Sequence, residues 1–385
     1  MITIDVLTAT RAEYGLMKPL LKRLIDDSDI KMRLLVSGTH LSKDYGYTCV
    51  EIEEDQIPIY KKIPILKDEK EAEFISTTMA EAIINFTKHF LTDRPDFLII
   101  DGDRYEALAV AIAAVNSNVP IIHIGGGAVT EGAVDEYYRH AITKLSYLHF
   151  ASIELYRKRI IQMGEYPERV FAVGSLGIER ILNTKFLSKD ELQTSLNFKL
   201  DKPFAVATFH PVTLENQTEL NQLKELLSAL EEIKDMKFIF TAANADNNGF
   251  KINEYLQNYV KSNENFLFVK SLGALKYFSA LNYCEFVIGN SSSGIIEVPS
   301  FHIPTINIGD RQKSRFQAKN TLNCEPLKDE ILKTVNIARS FEFKNICKTT
   351  ENPYGDGQSS KKIIKHIKEN FSKINIKKKF YDLKG

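Results

Sequence analysis

Residues 286–297 read FVIGNSSSGIIE, and this stretch decides how the whole sequence is interpreted. A short apolar run ends in Gly289, three serines follow, and an apolar helical pattern begins near residue 294. A strand that passes through a Gly- and Ser-rich turn into a helix is the repeating unit of a parallel sheet covered by helices. Its backbone N–H groups and hydroxyls favour a bound phosphate, and a serine helix cap is the structural alternative. The Gly-Lys-Ser/Thr ending of a Walker P-loop does not occur in this turn.

The same alternation of apolar runs and longer helical patterns extends along the 385 residues. Predicted strands occupy 2–7, 32–36, 97–100, 121–124, 170–173, 204–208, 237–241, 266–269, 286–289 and 305–308. Predicted helices occupy 15–27, 72–91, 107–116, 135–145, 219–233, 249–261, 274–281, 294–298 and 359–371. Continuous apolar strands are typical of sheets that are covered on both faces. The predicted fold class is therefore α/β.

The length of the chain predicts two domains, because single hydrophobic cores rarely grow to this size. A polar stretch between about residues 174 and 202 separates the two halves and marks the boundary. We expect an N-terminal α/β domain over 1–175 and a C-terminal α/β domain over 200–355. Residues 356–385 form a last helix and a basic tail, which we expect to pack back on the N-terminal domain.

Composition excludes several classes of protein. Lys+Arg and Asp+Glu both number 50, so nothing favours nucleic acid or an anionic membrane as a partner. The four cysteines form no CxxC pair, which argues against a zinc site or a disulfide framework. No signal peptide and no membrane-spanning run is apparent. These features predict a cytoplasmic protein with reduced thiols.

Polar side chains follow the predicted strands of the first half, at the edge where ligands of α/β sheets bind. Arg11 comes after the first strand and is suited to phosphate, although it could equally face solvent from a connecting loop. Asp103 follows the strand 97–100 and is a candidate acid or base, with helix capping as the alternative. The glycine-rich loop after 121–124 contains Glu131 and leads to Asp135, which supply two further carboxylates.

The second half repeats this arrangement. His210 follows the strand 204–208 and is a candidate donor to a phosphate or a leaving oxygen, although single histidines are more often structural. Asn244 and Ser271 follow the next two strands and suit contacts with a base or ribose. Glu297 lies one turn inside the helix after the serines, where a carboxylate can accept from ribose hydroxyls, and Arg311 follows the strand 305–308.

Taken together, these motifs resemble the hydrolysing UDP-N-acetylglucosamine 2-epimerases of sialic-acid biosynthesis. They are also similar to relatives that act on UDP-N,N'-diacetylbacillosamine for legionaminic acid. The motifs that match in order are TATRAEYG at 8–15, GDR at 102–104, RHAITK at 139–144, HP at 210–211, GNSS at 289–292, GDRQ at 309–312 and NPYGDG at 352–357. The resemblance implies a glycosyltransferase-B type fold, in which two Rossmann-like domains face a cleft. It also implies a homodimer or homotetramer that needs no metal or redox cofactor.

The resemblance further implies roles for individual residues. The positions that match UDP contacts are Arg11, His210, Asn244, Ser291, Ser292, Glu297 and Arg311, with Arg104 and His40 contributed by the N-terminal domain. Asp103 and Asp135 match acids of the family. The implied chemistry removes the C2 proton of the sugar as UDP leaves C1, giving a 2-acetamidoglucal. Water then adds, giving the free 2-epimer, which for UDP-N-acetylglucosamine is N-acetylmannosamine.

One departure from the family concerns the glycine-rich loop. Many relatives carry a glutamate third or sixth in this loop, counting the position of His123 as first, and here these positions are Gly125 and Ala128. Three interpretations stay open: Glu131 substitutes, Asp103 and Asp135 suffice, or the enzyme is impaired. The non-hydrolysing epimerases have a His-x-Glu-Ala-Gly loop that this sequence lacks. A glycosyltransferase of the same fold and a nucleotide-sugar-binding protein without turnover also stay open.

Overall fold

The computed structural model describes residues 1–67, 73–130, 134–210, 219–243 and 249–383. The chain divides into two compact units. Unit 1 comprises 1–182 and 354–385, and unit 2 comprises 183–353. The polypeptide therefore leaves unit 1, builds unit 2, and returns to complete unit 1. Among the described residues, no helix combines the length and the apolar character needed to span a bilayer.

Unit 1 is a parallel sheet of seven strands with helices along the chain between them. Its strands are β1 (Ile2–Thr8), β2 (Ile30–Val36), β3 (Ile59–Lys62), β4 (Phe97–Asp101), β5 (Ile121–Ile124), β6 (Leu148–Ala151) and β7 (Val170–Ala172). Its helices are α1 (Arg11–Asp26), α2 (Cys49–Glu54), α3 (Phe74–Thr92), α4 (Tyr105–Asn116), α5 (Asp135–Leu145), α6 (Glu154–Gln162), α7 (Leu176–Leu182) and, after unit 2, α15 (Ser359–Phe371). The strand order is β3-β2-β1-β4-β5-β6-β7.

Alternate side chains of these strands feed two separate apolar clusters. Ile4 and Val6 of β1 join the cluster that also contains residues of α1 and α15. Leu98 and Ile100 of β4 join the cluster that contains residues of α3 and α4. Side chains point alternately to the two faces of a strand, so helices on both faces require strands that are apolar throughout. This requirement explains why most of these strands could be read from the sequence.

The C-terminal tail after α15 lies along unit 1. The Tyr147 hydroxyl accepts from the backbone N–H of Asn375 at 3.1 Å, and the Tyr381 N–H donates to the carbonyl of Gly164 at 2.9 Å. Between these points, Lys378 forms an ion pair of 2.8 Å with Glu165, whose side chain is 1% exposed. Glu165 also contacts Lys144 and His149. The tail is thus held at several points by unit 1.

Unit 2 has a parallel sheet of six strands in the order β10-β9-β8-β11-β12-β13. Its strands are β8 (Phe204–Thr208), β9 (Lys237–Thr241), β10 (Phe266–Val269), β11 (Phe286–Gly289), β12 (Thr305–Ile308) and β13 (Thr321–Cys324). Its helices are α8 (Lys189–Leu196), α9 (Glu219–Glu231), α10 (Gly249–Tyr259), α11 (Gly273–Tyr283), α12 (Ser292–Ile296), α13 (Lys328–Arg339) and α14 (Phe341–Lys348). Alanines and phenylalanines of the central strands form its core with α9 and α13.

In each sheet, successive strands are added first on one side of the first strand and then on its other side. This reversal point lies between β1 and β4 in unit 1 and between β8 and β11 in unit 2. This is the Rossmann strand order, and the carboxyl ends of the strands beside the reversal are where such sheets bind ligands. The α/β prediction with two Rossmann-like sheets is therefore confirmed. The predicted strand bounds in the second half match β8 to β12, while β3, β6 and β13 were not predicted.

Candidate active site

The reversal point of unit 1 brings together loops that are far apart in sequence. The turn after β1 ends at Thr10 and Arg11 begins α1, the turn after β4 contains Asp103 and Arg104, and the glycine-rich loop follows β5. These strands are neighbours in the order β1-β4-β5 and all run parallel, so their carboxyl ends share one edge. The predicted Asp103, Arg11 and Arg104 therefore lie along the same edge of the sheet, and Asp135 begins the helix that follows the glycine-rich loop.

Arg139 of α5 connects several of these loops. Its guanidinium donates to Asp103 at 2.9 Å and to Glu136 at 2.7 Å. It also donates to the Ala128 carbonyl at 3.0 Å and to the Thr130 hydroxyl at 3.0 Å. Only 6% of the Arg139 side chain is exposed. A buried guanidinium with two carboxylate partners fixes the direction of both, and here it also fixes the glycine-rich loop. Asp103 thus pairs with Arg139, while the first residue before α4 is Arg104, so Asp103 does not cap that helix.

The glycine-rich loop is held by the end of β5 and by α6. The buried ring of His123 contacts the Gly102 carbonyl through Nε2 at 2.9 Å and the Thr143 hydroxyl through Nδ1 at 3.2 Å. Desolvation lowers the pKa of His123 to about 3, so the ring is neutral and serves to position the loop. Gly127 has a φ of +77°, and a Cβ there would lie 2.3 Å from the Tyr156 carbonyl oxygen, so only glycine fits.

Three carboxyl groups at this edge have raised pKa values. Desolvation raises the pKa of Asp101, the last residue of β4, to about 7, and the charge of Asp103 adds to the shift. Desolvation raises the pKa of Glu13 to about 8, and the charges of Asp101 and Glu106 act in the same direction. The pKa of Asp135 is also raised, first by desolvation and then by Asp103. With pKa values near 7 and 8, Asp101 and Glu13 can both give and take protons near neutral pH.

The basic residues of unit 1 that were predicted to contact UDP have hydrogen-bonding or ionic partners within the protein. Arg11 is exposed and forms an ion pair of 2.9 Å with Glu51. Arg104 is exposed and pairs at 3.2 Å with the buried Glu106. His40 is fully buried and lies between the hydroxyls of Thr8 (3.0 Å) and Thr48 (2.8 Å).

Both arginines are thus exposed and paired with carboxylates, whereas His40 is buried between the end of β1 and Thr48. Desolvation lowers the pKa of His40 to about 4, which keeps the ring neutral.

The reversal point of unit 2 is closed by one side-chain amide. Asn290 accepts from the His210 N–H at 2.7 Å and donates to the His210 carbonyl at 2.9 Å, so the ends of β8 and β11 are joined. Gly289 permits this approach, since its φ is +133° and a Cβ there would lie 1.9 Å from the Thr208 carbonyl oxygen. The structure thus places His210 directly beside the serine turn that follows β11.

The serine turn is both a helix cap and a set of hydroxyls. Ser291 precedes α12 and its hydroxyl accepts from the Ser293 N–H at 3.4 Å, so the capping alternative is correct for this residue. Ser293 in turn donates to Glu297 and contacts the Tyr277 hydroxyl at 2.6 Å. Ser292 begins the short helix and is half-buried. Helix capping and phosphate binding are compatible at this turn. Capping uses only the Ser291 hydroxyl, and the turn still lies at the carboxyl end of β11.

Arg311 and Gln312 approach the same turn from the loop after β12. Both donate to the Asn290 carbonyl, at 3.1 Å and 3.0 Å. Ser271 also lies at this edge, but it follows the outer strand β10, two strands away from β8, and its hydroxyl accepts from Gly273 at 3.2 Å. The predicted Asn244 and Glu131 lie outside the described residues. Within the described ranges, no group of three His, Cys, Asp or Glu side chains could hold a metal ion.

Comparison with known proteins identifies the family of this chain. Residues 22–368 match the UDP-N-acetylglucosamine 2-epimerase family. The chain belongs to that family. A GDP/UDP-N,N'-diacetylbacillosamine 2-epimerase (hydrolyzing) from Campylobacter jejuni subsp. jejuni serotype O:2 is 41% identical, over 99% of both chains. A polysialic acid biosynthesis protein from Escherichia coli is 38% identical, over 98% of this chain and 96% of its own.

The epimerase fold is also shared at the level of solved structures. The crystal structure of UDP-GlcNAc 2-epimerase from Neisseria meningitidis bound to UDP-GlcNAc has a TM-score of 0.77 and 18% identity, covering 96% of this chain and all of the other. At that identity the likeness concerns the fold. It supports a glycosyltransferase-B type architecture for this epimerase and agrees with the two Rossmann-like sheets described above.

The sequence did not single out every residue that the epimerase places at this edge. Arg139, Asp101 and Glu13 were not among the predicted site residues, although Arg139 and Asp101 lie beside the predicted Asp103 and Glu13 lies near Asp101. Arg139 lies three residues after Glu136 on α5, within the matching RHAITK motif, and that position was an available signal. No comparable signal marks Glu13, because its proximity to Asp101 depends on the order of β1 and β4.

Proposed function

We propose that this protein is a hydrolysing 2-epimerase of UDP-N,N'-diacetylbacillosamine, which releases UDP and the free 2-epimeric sugar. The single observation that carries the choice of sugar is the 41% identity, over 99% of the chain, to the Campylobacter hydrolysing epimerase, whose name gives N,N'-diacetylbacillosamine as the sugar and GDP or UDP as the nucleotide. The sequence motifs alone placed UDP-N-acetylglucosamine first, because they concern UDP and the reacting carbons and scarcely distinguish the substituents at C4 and C6.

We assign UDP recognition to unit 2. Ser291, Ser292 and His210 lie together at the reversal point, where backbone N–H groups and hydroxyls suit a pyrophosphate. Arg311 adds a guanidinium at the same turn, and Glu297 is the carboxylate assigned to the ribose hydroxyls. Asn244 and Ser271 are assigned to the uridine, and Arg11, Arg104 and His40 to the support of UDP from unit 1.

We assign the proton chemistry to unit 1. The C2–H bond breaks as a base takes the proton, its electron pair forms the C1=C2 double bond, and the C1–O electron pair leaves with UDP. Asp103 is the base that we assign, since Arg139 fixes the direction of its carboxylate at the carboxyl edge of the sheet. Asp135 and Glu131 are the other assigned acids, and Asp135 lies near Asp103. A cationic leaving-group site stabilises the charge that develops on UDP.

Proton NMR in D2O tests the proposal. The purified protein is incubated in parallel with UDP-N,N'-diacetylbacillosamine and with UDP-N-acetylglucosamine. The expected result is free UDP together with the 2-epimer of the diacetylated sugar, deuterated at C2, formed with the higher kcat/KM. Deuterium at C2 is required by the elimination route, because the original proton is lost before water adds.

UDP-N-acetylglucosamine is the second candidate. The Escherichia coli relative is a polysialic acid biosynthesis protein, and the epimerases that this sequence resembles in sialic-acid biosynthesis act on that sugar nucleotide. Faster release of UDP and N-acetylmannosamine from UDP-N-acetylglucosamine would select this candidate. Recovery of both substrates intact, with UDP bound, would contradict both and would leave a binding protein.

A further inference from the structure

Asp101 ends β4 at the centre of the reversal point of unit 1. On one side lies β1, which leads into α1 and Glu13, and on the other lies β5, which leads into Gly125. A Cβ at Gly125 would lie 3.8 Å from the Asp101 Oδ1 atom. The Asp101 carboxyl therefore lies beside the first glycine of the glycine-rich loop.

The backbone at Gly125 disfavours any residue with a side chain. Gly125 has a φ of +88°, a conformation that other residues rarely adopt. The Gly125 N–H is held by the Phe150 carbonyl at 3.0 Å, and the Gly102 N–H is held by the Ile124 carbonyl at 3.2 Å. The loop is thus fixed in a shape that suits glycine, while the neighbouring strand brings a carboxyl group to the same place.

Asp101 and Asp103 are two residues apart but have different surroundings. Asp103 is paired with Arg139, whereas no cation among the described residues pairs with Asp101. The charged and titratable groups around this edge are Glu13 of α1, Asp103, Arg104 and Glu106 after β4, His123 at the end of β5, and Asp135 and Arg139 of α5. Desolvation and the charge of Asp103 raise the pKa of Asp101 to about 7, so this carboxyl carries a proton in neutral solution more often than an ordinary aspartate does. Two carboxyls held in such different environments are suited to opposite roles in proton transfer.

We propose that Asp101 is the acid that returns a proton to C2 in the second half of the reaction, a role that rests on the proposed function. The electron pair of the C1=C2 double bond takes the proton from the Asp101 carboxyl, and the oxygen of a water molecule bonds to C1. The proton that this water loses restores the protonated form of Asp101 through solvent. In this division, Asp103 removes the first proton and Asp101 supplies the second.

The test uses Asp101→Asn in the full chain and measures UDP and sugar products separately. An amide cannot supply the proton, so hydration of the glycal should slow by about 100-fold. UDP release should be affected much less, and free 2-acetamidoglycal should accumulate and be visible by its vinyl proton in the NMR spectrum. In the wild type, hydration should decline as pH rises through about 7, because the protonated form of Asp101 is lost.

Two further variants keep the test decisive. Asp101→Glu retains a carboxyl group and should restore part of the hydration rate. Asp96→Asn changes the aspartate just before the other end of β4, which accepts from the Thr3 N–H at 2.8 Å, and should give no glycal. If the wild type is active and Asp101→Asn gives the same ratio of glycal to hydrated sugar, the role of Asp101 is overturned. A wild type inactive on both sugar nucleotides would instead refute the proposed function, so the two failures are distinguishable.

Discussion

At the scale of single residues, Arg139 is the point on which the acid cluster depends. It is buried, and its partners are two carboxylates and two oxygens of the glycine-rich loop. Its guanidinium reaches all of them because five N–H donors lie in one plane. The residue therefore couples the shape of the loop to the direction of Asp103, and a change at Arg139 alters both.

We expect Arg139→Lys to lower kcat by about 10- to 100-fold, because an ammonium group cannot reproduce the planar set of bonds. The free energy of unfolding should fall by about 2 kcal/mol, since a buried cation and two half-buried carboxylates lose hydrogen bonds. UDP release and urea unfolding measure the two effects. The matched control is Arg157→Lys, at a more exposed pair with Glu154, which should keep the activity of the wild type. An unchanged kcat in Arg139→Lys would contradict the role of Arg139.

Glu13 carries a second prediction, which concerns pH and stability. Its pKa in the folded protein, about 8, lies above its ordinary value, so the folded state binds more protons than the unfolded state between about pH 4.5 and pH 8. Stability associated with this group is present at low pH and is lost as pH rises through that window. Glu13→Gln retains an acceptor for the Ala9 and Thr10 N–H groups but cannot ionise.

The stability of Glu13→Gln should therefore decline less than that of the wild type between about pH 5 and pH 9, by about 1 kcal/mol after allowance for solvent screening. Urea unfolding at the two pH values measures the difference. Parallel pH profiles for the two proteins would show that Glu13 is ionised throughout. Asp96→Asn is a suitable control, because this residue is remote from the cluster at the far end of β4.

The only site residues that could be predicted from the sequence are those that come soon after a predicted strand. Asp103, Asp135, His210 and Ser291 were found in this way, and the structure places all four at the carboxyl edges of the sheets. Asp101 could not be distinguished from its neighbours in this way, because its environment depends on Glu13 and Gly125, which are distant in sequence. Long-range electrostatics follows from strand order, and a single sequence does not give that order directly.

At the scale of elements, continuous apolar runs were predicted well and polar or outer strands were not. β8 to β11 were bounded correctly because each contains three or four consecutive apolar residues, and β12 was bounded around Ile306 and Ile308. β6 contains His149, which is buried only because Glu165 pairs with it, and β3 and β13 are outer strands with more exposed residues. A periodicity argument fails where a tertiary ion pair or an edge position permits polar residues.

The contacts of Glu165 give a prediction for the tail. Glu165 is buried, and Lys144, Lys378 and His149 all contact it, which holds its pKa at about 2 in spite of desolvation. A carboxyl with a depressed pKa contributes stability above its ordinary pKa, about 4.5, and that stability is lost as pH falls toward 2. Glu165→Gln should destabilise the protein by about 3 kcal/mol at neutral pH, because two lysines are left without their partner.

Thermal unfolding at neutral pH and at about pH 3 measures this effect, and the gap between variant and wild type should narrow in acid. Glu168→Gln is the matched control, since Glu168 is exposed and only three residues away. Limited proteolysis of the tail adds a local readout, because Lys378 loses one of its contacts in Glu165→Gln. A constant gap at all pH values would contradict an ionised Glu165.

At the scale of the whole molecule, unit 1 is built from two separate parts of the chain. α15 places Ile363, Ile364 and Ile367 in the same apolar cluster as α1, and it packs against α1 and α7. Unit 2, by contrast, is continuous from 183 to 353. The α/β class with two sheets was predictable from the alternation of patterns, whereas the register of each sheet and the contacts of the tail required the structure.

We expect a chain that ends at Pro353 to lose the folded state of unit 1. The three isoleucines of α15 alone contribute about 5 kcal/mol of burial, which is comparable to the net stability of a domain. Circular dichroism and urea unfolding would show one remaining transition, from unit 2. A chain that ends at Tyr381 retains α15 and the Tyr381 contact with Gly164, and should unfold like the full chain. Two intact transitions in the shorter chain would contradict this prediction.

The return of the chain to unit 1 also has a consequence during synthesis on the ribosome. Domains generally fold as units, the N-terminal one first as it emerges. Here the first 182 residues emerge without α15, so part of their apolar cluster stays uncovered while unit 2 is translated. All residues of unit 2 are synthesised before the last segment of unit 1. The unit whose translation begins first is therefore the one that finishes folding last. In the interval, its α1 and α7 surfaces are exposed to chaperones.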